Sequence, residues 1–107
     1  MAVNKINREQ FEEMLRGEKP VLIDYSATWC GYCRRIEPVY SRIEEEYSDV
    51  LIAANIDIDE EEQLSDEQQI EIIPTLVLYK DGKAVGSIVN PPSKMAIDEF
   101  IKTALEK

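Results

Sequence analysis

The sequence predicts an α/β fold built on a mixed sheet, and three observations carry that reading. Strand-like apolar runs alternate with amphipathic helical stretches through most of the chain, Asp81-Gly82 joins two further strand-like runs, and a last helical stretch closes the sequence. The alternation implies parallel strand-helix-strand units, the hairpin an antiparallel edge, and such a sheet needs helices on both faces to cover it. The 107 residues, 44% of them hydrophobic, suffice for one core and not for two ordinary domains. Without a repeat, a low-complexity run or a Pro/Gly/Ser linker, residues 1–107 are expected to form one domain.

Asn7 is a good N-cap with Gln10 three residues on; Phe11, Met14 and Leu15 form an apolar stripe, and Gly17 supplies the stop of a first helix. Pro20 introduces Val21 to Tyr25, an apolar run of strand length that reads as a buried central strand. From Cys33 onward Ile36, Val39, Tyr40, Ile43 and Tyr47 recur at helical spacing, and Pro38 predicts a kink in that long helix. A strand is expected from Val50 to Ile56. The acidic stretch Asp57 to Glu62 reads as a solvated helix start, with the short helix ending near Gln69. Thr75 to Lys80 and Ala84 to Val89 should pair antiparallel through Asp81-Gly82. Ser93 can cap a final helix on which Ile97, Phe100, Ile101, Ala104 and Leu105 share a face.

Composition excludes several classes of function. Twenty-two acidic against 12 basic residues give a formal charge of -10, which disfavours a nucleic-acid or anionic membrane partner. No apolar stretch approaches bilayer length, and Met1 to Asn7 lack the apolar run of a secretory signal, so a soluble, cytoplasmic monomer is expected. The chain has no histidine, which rules out hydrolase chemistry that uses a histidine base. Its two cysteines are too few to staple a secreted scaffold, and a disulfide between positions 30 and 33 would close a very small loop.

Those cysteines carry the chemistry. Trp29-Cys30-Gly31-Tyr32-Cys33 falls between the buried strand and the long helix, placing Cys30 at a helix N-terminus, where unpaired backbone donors and the helix dipole favour a thiolate. A thiolate is the attacking species in disulfide exchange. Cys33, one turn on, faces the same side and can resolve the mixed disulfide. Asp24 lies within an apolar strand, so burial should raise its pKa; the alternative is a solvated residue at a strand end.

The segment Asp24-Tyr25-Ser26-Ala27-Thr28-Trp29-Cys30-Gly31-Tyr32-Cys33 resembles the active-site segment of the thioredoxin family, whose usual form ends Trp-Cys-Gly-Pro-Cys. Pro38 resembles the family's helix-kinking proline, and Ile73-Pro74-Thr75 its cis-proline loop, so the likeness covers nearly the whole chain. The resemblance implies a thioredoxin fold and a protein-disulfide reductase that needs no cofactor beyond the Cys30-Cys33 pair and is recharged by a reductase or another thiol donor. It implies Cys30 as nucleophile, Cys33 as resolving cysteine and Asp24 as a group that helps move the proton of Cys33. It further implies a substrate groove formed by Trp29, Gly31, Tyr32, Ile73, Pro74 and Asn90, with a cis Ile73-Pro74 bond offering backbone groups to an extended substrate. Trp29 is as readily read as a plain core residue. Arg34 and Arg35 could favour a nearby thiolate or be solvated surface.

Departures from the family pattern bear on partner choice: Tyr32 replaces proline between the cysteines, Ser26 a frequent tryptophan, and Asn90-Pro91-Pro92 a Gly-containing loop. Many thioredoxins place a lysine near the aspartate, and here Asn55 takes that position. Tyr32 suggests a more oxidising or glutathione-linked oxidoreductase or isomerase as the rival reading. A redox-inactive binding module and a cluster-binding dimer of the kind seen in some glutaredoxins are further alternatives. A mononuclear zinc site lacks the remaining Cys or His ligands, so no metal is expected.

Overall fold

In β1 (Val21–Ser26) every residue but the last is buried, the mark of a strand covered on both faces. The computed structural model describes residues 3–107; Met1 and Ala2, part of the opening read for a signal, lie outside the described residues. The remaining elements are α1 (Arg8–Leu15), α2 (Gly31–Glu46), β2 (Ile52–Asp57), α3 (Glu62–Glu67), β3 (Thr75–Lys80), β4 (Lys83–Val89) and α4 (Lys94–Leu105). Four strands form one sheet in the order β2-β1-β3-β4. β1 runs parallel to β2 and antiparallel to β3, and β3 and β4 form the antiparallel hairpin. Asp81 (φ 55°) and Gly82 (φ 80°) both take the left-handed conformation that a two-residue hairpin turn demands.

Period-two alternation along β1 sorts the core into two layers. Leu22, with Leu76, Leu78 and Ala53, packs against Ile36, Tyr40 and Ile43 of α2 and Ile97, Ile101 and Ala104 of α4. Val21, Ile23 and Tyr25, with Val77, Tyr79 and Ile56, pack against Phe11 of α1 and Leu64 of α3. Asp24 shares the phase of Leu22. Its side chain therefore belongs to the α2 face, and that parity puts a carboxyl beneath the cysteines.

The caps are as the residue types demand: Asn7 and Gln10 form a reciprocal capping box, and the Ser93 side chain accepts from the Ala96 N–H. α2 runs as one helix through Pro38. Other expectations need correction. The second strand begins at Ile52, because the N–H groups of Val50 and Leu51 both donate to the Tyr47 carbonyl, at 2.8 and 2.9 Å, and close the end of α2. The acidic run is no uniform solvated helix start: Asp57 ends β2, is buried, and accepts from the N–H groups of Asp59 at 2.8 Å and Glu60 at 3.3 Å. The N-terminal segment pairs with β2, Ile6 N–H donating to Asn55 O at 2.8 Å and Asn55 N–H to Asn4 O at 2.9 Å. Among the described residues no helix is long and apolar enough to cross a membrane.

Candidate active site

β1 delivers the chain to a short turn, Ala27 to Trp29, from which α2 rises. Cys30 is the N-cap of α2, with extended backbone (φ -88°, ψ 114°), and its Sγ accepts the Cys33 N–H at 3.2 Å. A sulfur thus stands where a Ser or Asp oxygen would satisfy the first turn. Both thiols are free and buried, in a satellite cluster with Ala27 against which Ile58 and Ile73 pack. Burial pushes the Cys33 thiol up to about 12, and its hydrogen bond to Cys30 adds to this.

Beneath them Asp24 is 4% exposed, which settles the two readings of this residue in favour of burial. Burial raises its carboxyl to about 7; a hydrogen bond from Asn55 pulls it down and the Glu37 carboxylate pushes it further up. Asn55 Nδ2 donates to the Asp24 main-chain oxygen at 3.0 Å and to Ser26 Oγ at 2.6 Å, and lies 3.4 Å from Asp24 Oδ2. Oδ1 is buried without a partner. Asp24 and Cys33 line one cavity of about 310 Å³, which Asn55, Glu37, Arg34 and Lys5 also border. A carboxyl that titrates near neutrality, in the same cavity as a high-pKa thiol, is suited to taking that thiol's proton.

The second wall is the loop before β3. The Ile73-Pro74 bond is cis, and Asn90, at φ 44°, donates its N–H to the Pro74 carbonyl at 2.7 Å. Gly31 opens to solvent, and a Cβ there would meet nothing within 4 Å, so packing does not demand glycine. Trp29 is 65% exposed, which excludes the core reading; its Nε1 donates to Asp59 Oδ2 at 2.7 Å. Tyr32 is likewise exposed, and the Arg35 guanidinium lies 5.5 Å from the centroid of its ring. Arg34 and Arg35 separate, Arg34 bordering the Asp24 cavity and Arg35 a different one beside Tyr32.

The structure thus brings together Cys30, Cys33 and Asp24, with Trp29, Tyr32, Ile73, Pro74 and Asn90 around them. Sequence reasoning missed Glu37 and Asp59. Glu37 is one of several acids on α2, and only its position one turn beyond Cys33 marks it; Asp59 is lost within the acidic run. Among the described residues no cluster of His, Cys, Asp or Glu is arranged to hold a metal ion.

Comparison with known proteins agrees with this geometry. The family model for thioredoxin matches residues 2–103. A thioredoxin of Acidithiobacillus ferridurans is 37% identical over 105 residues, covering 97% of each chain. A bifunctional thioredoxin reductase/thioredoxin of Mycobacterium leprae is 38% identical over 87 residues, 81% of this chain and 19% of that one. The crystal structure of oxidised mitochondrial thioredoxin 3 from Saccharomyces cerevisiae superposes with a TM-score of 0.83 at 30% identity over 94% of both chains.

Proposed function

Because this chain belongs to the thioredoxin family and is a dithiol-disulfide oxidoreductase, we propose that residues 1–107 act as a single-domain, monomeric reductant of protein disulfides in the cytoplasm, with no cofactor beyond the cysteine pair. The observation that carries the proposal is the joint placement of Cys30 at the α2 N-cap and of Cys33 in one cavity with Asp24.

In the first step the Cys30 thiolate attacks one sulfur of a substrate disulfide, forming a Cys30-substrate disulfide and releasing the other sulfur as a thiolate that water protonates. Asp24, as carboxylate, then takes the Cys33 proton, and the Cys33 thiolate attacks Cys30 Sγ. The bond to the substrate breaks, its second sulfur leaves as a thiolate that is protonated in turn, and Cys30 and Cys33 end joined as a disulfide. Two electrons have passed to the substrate. Trp29, Gly31, Tyr32, Ile73, Pro74 and Asn90 hold the substrate in an extended form. The Mycobacterium leprae relative, whose name joins a reductase to a thioredoxin, supports a reductase as the electron donor that regenerates the dithiol.

Trapping on a Cys33→Ser variant tests the assignment. Mass spectrometry should find mixed disulfides on that protein and none on Cys30→Ser; adducts on Cys30→Ser alone would reverse the roles. The more oxidising reading rests on Tyr32, which supplies a backbone N–H that proline would lack.

A further inference from the structure

A second cavity of about 320 Å³, which shares no lining residue with the one that Asp24 and Cys33 border, opens between the start of α2 and the Asn90-Pro91-Pro92 loop. Tyr32, Arg35 and Val39 of α2 line one side and Asn90, Pro91 and Pro92 the other. Both walls adjoin the proposed site: Tyr32 lies between the two cysteines in the chain, and the Asn90 N–H is bonded to the Pro74 carbonyl at 2.7 Å. Tyr32 and Asn90, two residues of the proposed substrate groove, both border this opening.

The cavity is apolar apart from Arg35, Asn90, Ser93 and the Tyr32 hydroxyl, and Arg35 is the one charged residue among its described lining. Its guanidinium lies 5.5 Å from the Tyr32 ring centroid and, among the described residues, has no carboxylate partner. A cation–π contact of this kind leaves the guanidinium N–H groups free for a carboxylate. An apolar recess with an unpaired cation at its rim matches a side chain of methylene groups that ends in a carboxylate.

We propose that this cavity selects protein disulfides whose target cysteine is flanked by an acidic residue, glutamate above all, through Arg35. The inference rests on the reductase reading above and names a class of substrate for it. It also runs against the charge of the molecule, because a chain of formal charge -10 repels acidic peptides at long range and favours basic ones. A preference for glutamate therefore needs a local cation.

The test uses three peptide disulfides that differ only in carrying Glu, Gln or Lys beside the cysteine, reduced by the wild-type protein, Arg35→Glu and Arg34→Glu under single-turnover conditions. Wild type should reduce the Glu peptide about threefold faster than the Lys peptide, the range expected for an exposed ion pair. Arg35→Glu should invert that order, while Arg34→Glu, which changes the net charge equally but borders the other cavity, should leave glutamate preferred. A general change in Cys30 reactivity cancels in the ratio. Equal rates, a wild-type preference for lysine, or inversion by both variants alike overturns the inference and leaves the reductase reading standing. Failure to reduce any of the peptides overturns both.

Discussion

Asn55 meets the buried Asp24 with a neutral amide: its Nδ2 donates to the Asp24 main-chain oxygen at 3.0 Å and lies 3.4 Å from Oδ2, while Oδ1 has no partner. The carboxyl is thus buried with only a neutral amide to compensate its charge, and the Glu37 carboxylate, of the same sign, pushes its pKa further up. Its ionisation is costly in the folded protein, and that cost is what would suit it to the proton-accepting part proposed for it at neutral pH.

Replacing Asp24 with Asn should stabilise the fold and slow turnover. The folded-state carboxyl is raised from 3.8 to about 7 by burial, so the native state holds its proton over a range where the unfolded chain has lost it. Asp24 leaves stability intact below the unfolded value, erodes it as pH climbs from there to about 7, and costs a constant amount above, roughly 4 kcal/mol from the difference between the two values. Urea unfolding of both proteins at pH 5 and pH 8 measures this. The gain of Asp24→Asn should be clearly larger at pH 8, and an equal gain at both would show that Asp24 is not held protonated.

The acidic limb of the rate profile should report the same group. Resolution by Cys33 slows as Asp24 becomes protonated, so single-turnover release of the second substrate thiol should fall below about pH 7. Asn55→Lys puts an ammonium beside the carboxyl and should move that limb down by about one pH unit. Glu37→Gln removes a like charge and should move it the same way by less. A limb unmoved by either change would assign it to another group.

Trp29 offers a spectroscopic check on the rim of the site. It is the chain's one tryptophan, exposed yet held by its Nε1 bond to Asp59 at 2.7 Å. Asp59→Ala should release the ring and lower its fluorescence anisotropy while costing at most about 1 kcal/mol of stability, as expected of an exposed hydrogen bond. Asp59→Asn keeps an acceptor and should restore the anisotropy. If the alanine variant leaves the signal unchanged, packing rather than the hydrogen bond holds the ring.

Local rules left clear marks in the sequence: the capping residues Asn7, Gln10 and Ser93, the left-handed pair Asp81-Gly82, and the odd-even phase of β1 that puts Asp24 on the Leu22 side. The catalytic pair was legible for the same reason, since spacing and helix start lie within a few residues. What escaped was set by chain ends and distant partners. Val50 is as apolar as Leu51 and Ile52 after it, and only the Tyr47 carbonyl, which takes its N–H, removes it from the strand. Asp57 looks like any member of an acidic run until the N–H groups of Asp59 and Glu60 turn back to it. Pairing of Asn4 and Ile6 with Asn55 spans half the chain, and no short-range pattern encodes it.

The reduction potential depends on how α2 begins. Thioredoxin itself has a reference value near -270 mV and protein disulfide isomerase one near -180 mV. With tyrosine in place of proline between the cysteines, the first turn of α2 has an extra N–H at Tyr32, beside the Cys33 N–H that already reaches Cys30 Sγ at 3.2 Å. Donors at this end favour the reduced form and raise the potential. Two features oppose this: the Cys33 thiol is pushed up to about 12 by burial, and ionised Asp24 discourages a second negative charge. The absence of histidine removes a further means of stabilising a thiolate. The balance should place the protein at roughly -220 to -260 mV, low enough to act as a reductant where a reductase supplies electrons. Tyr32→Pro should lower it by about 20 mV, the equivalent of one hydrogen bond of about 1 kcal/mol in a two-electron couple. Equilibration against glutathione with thiol labelling measures both proteins; a wild-type value above about -190 mV would instead make this chain an oxidase or isomerase, and an unchanged Tyr32→Pro value would remove the Tyr32 N–H from the account.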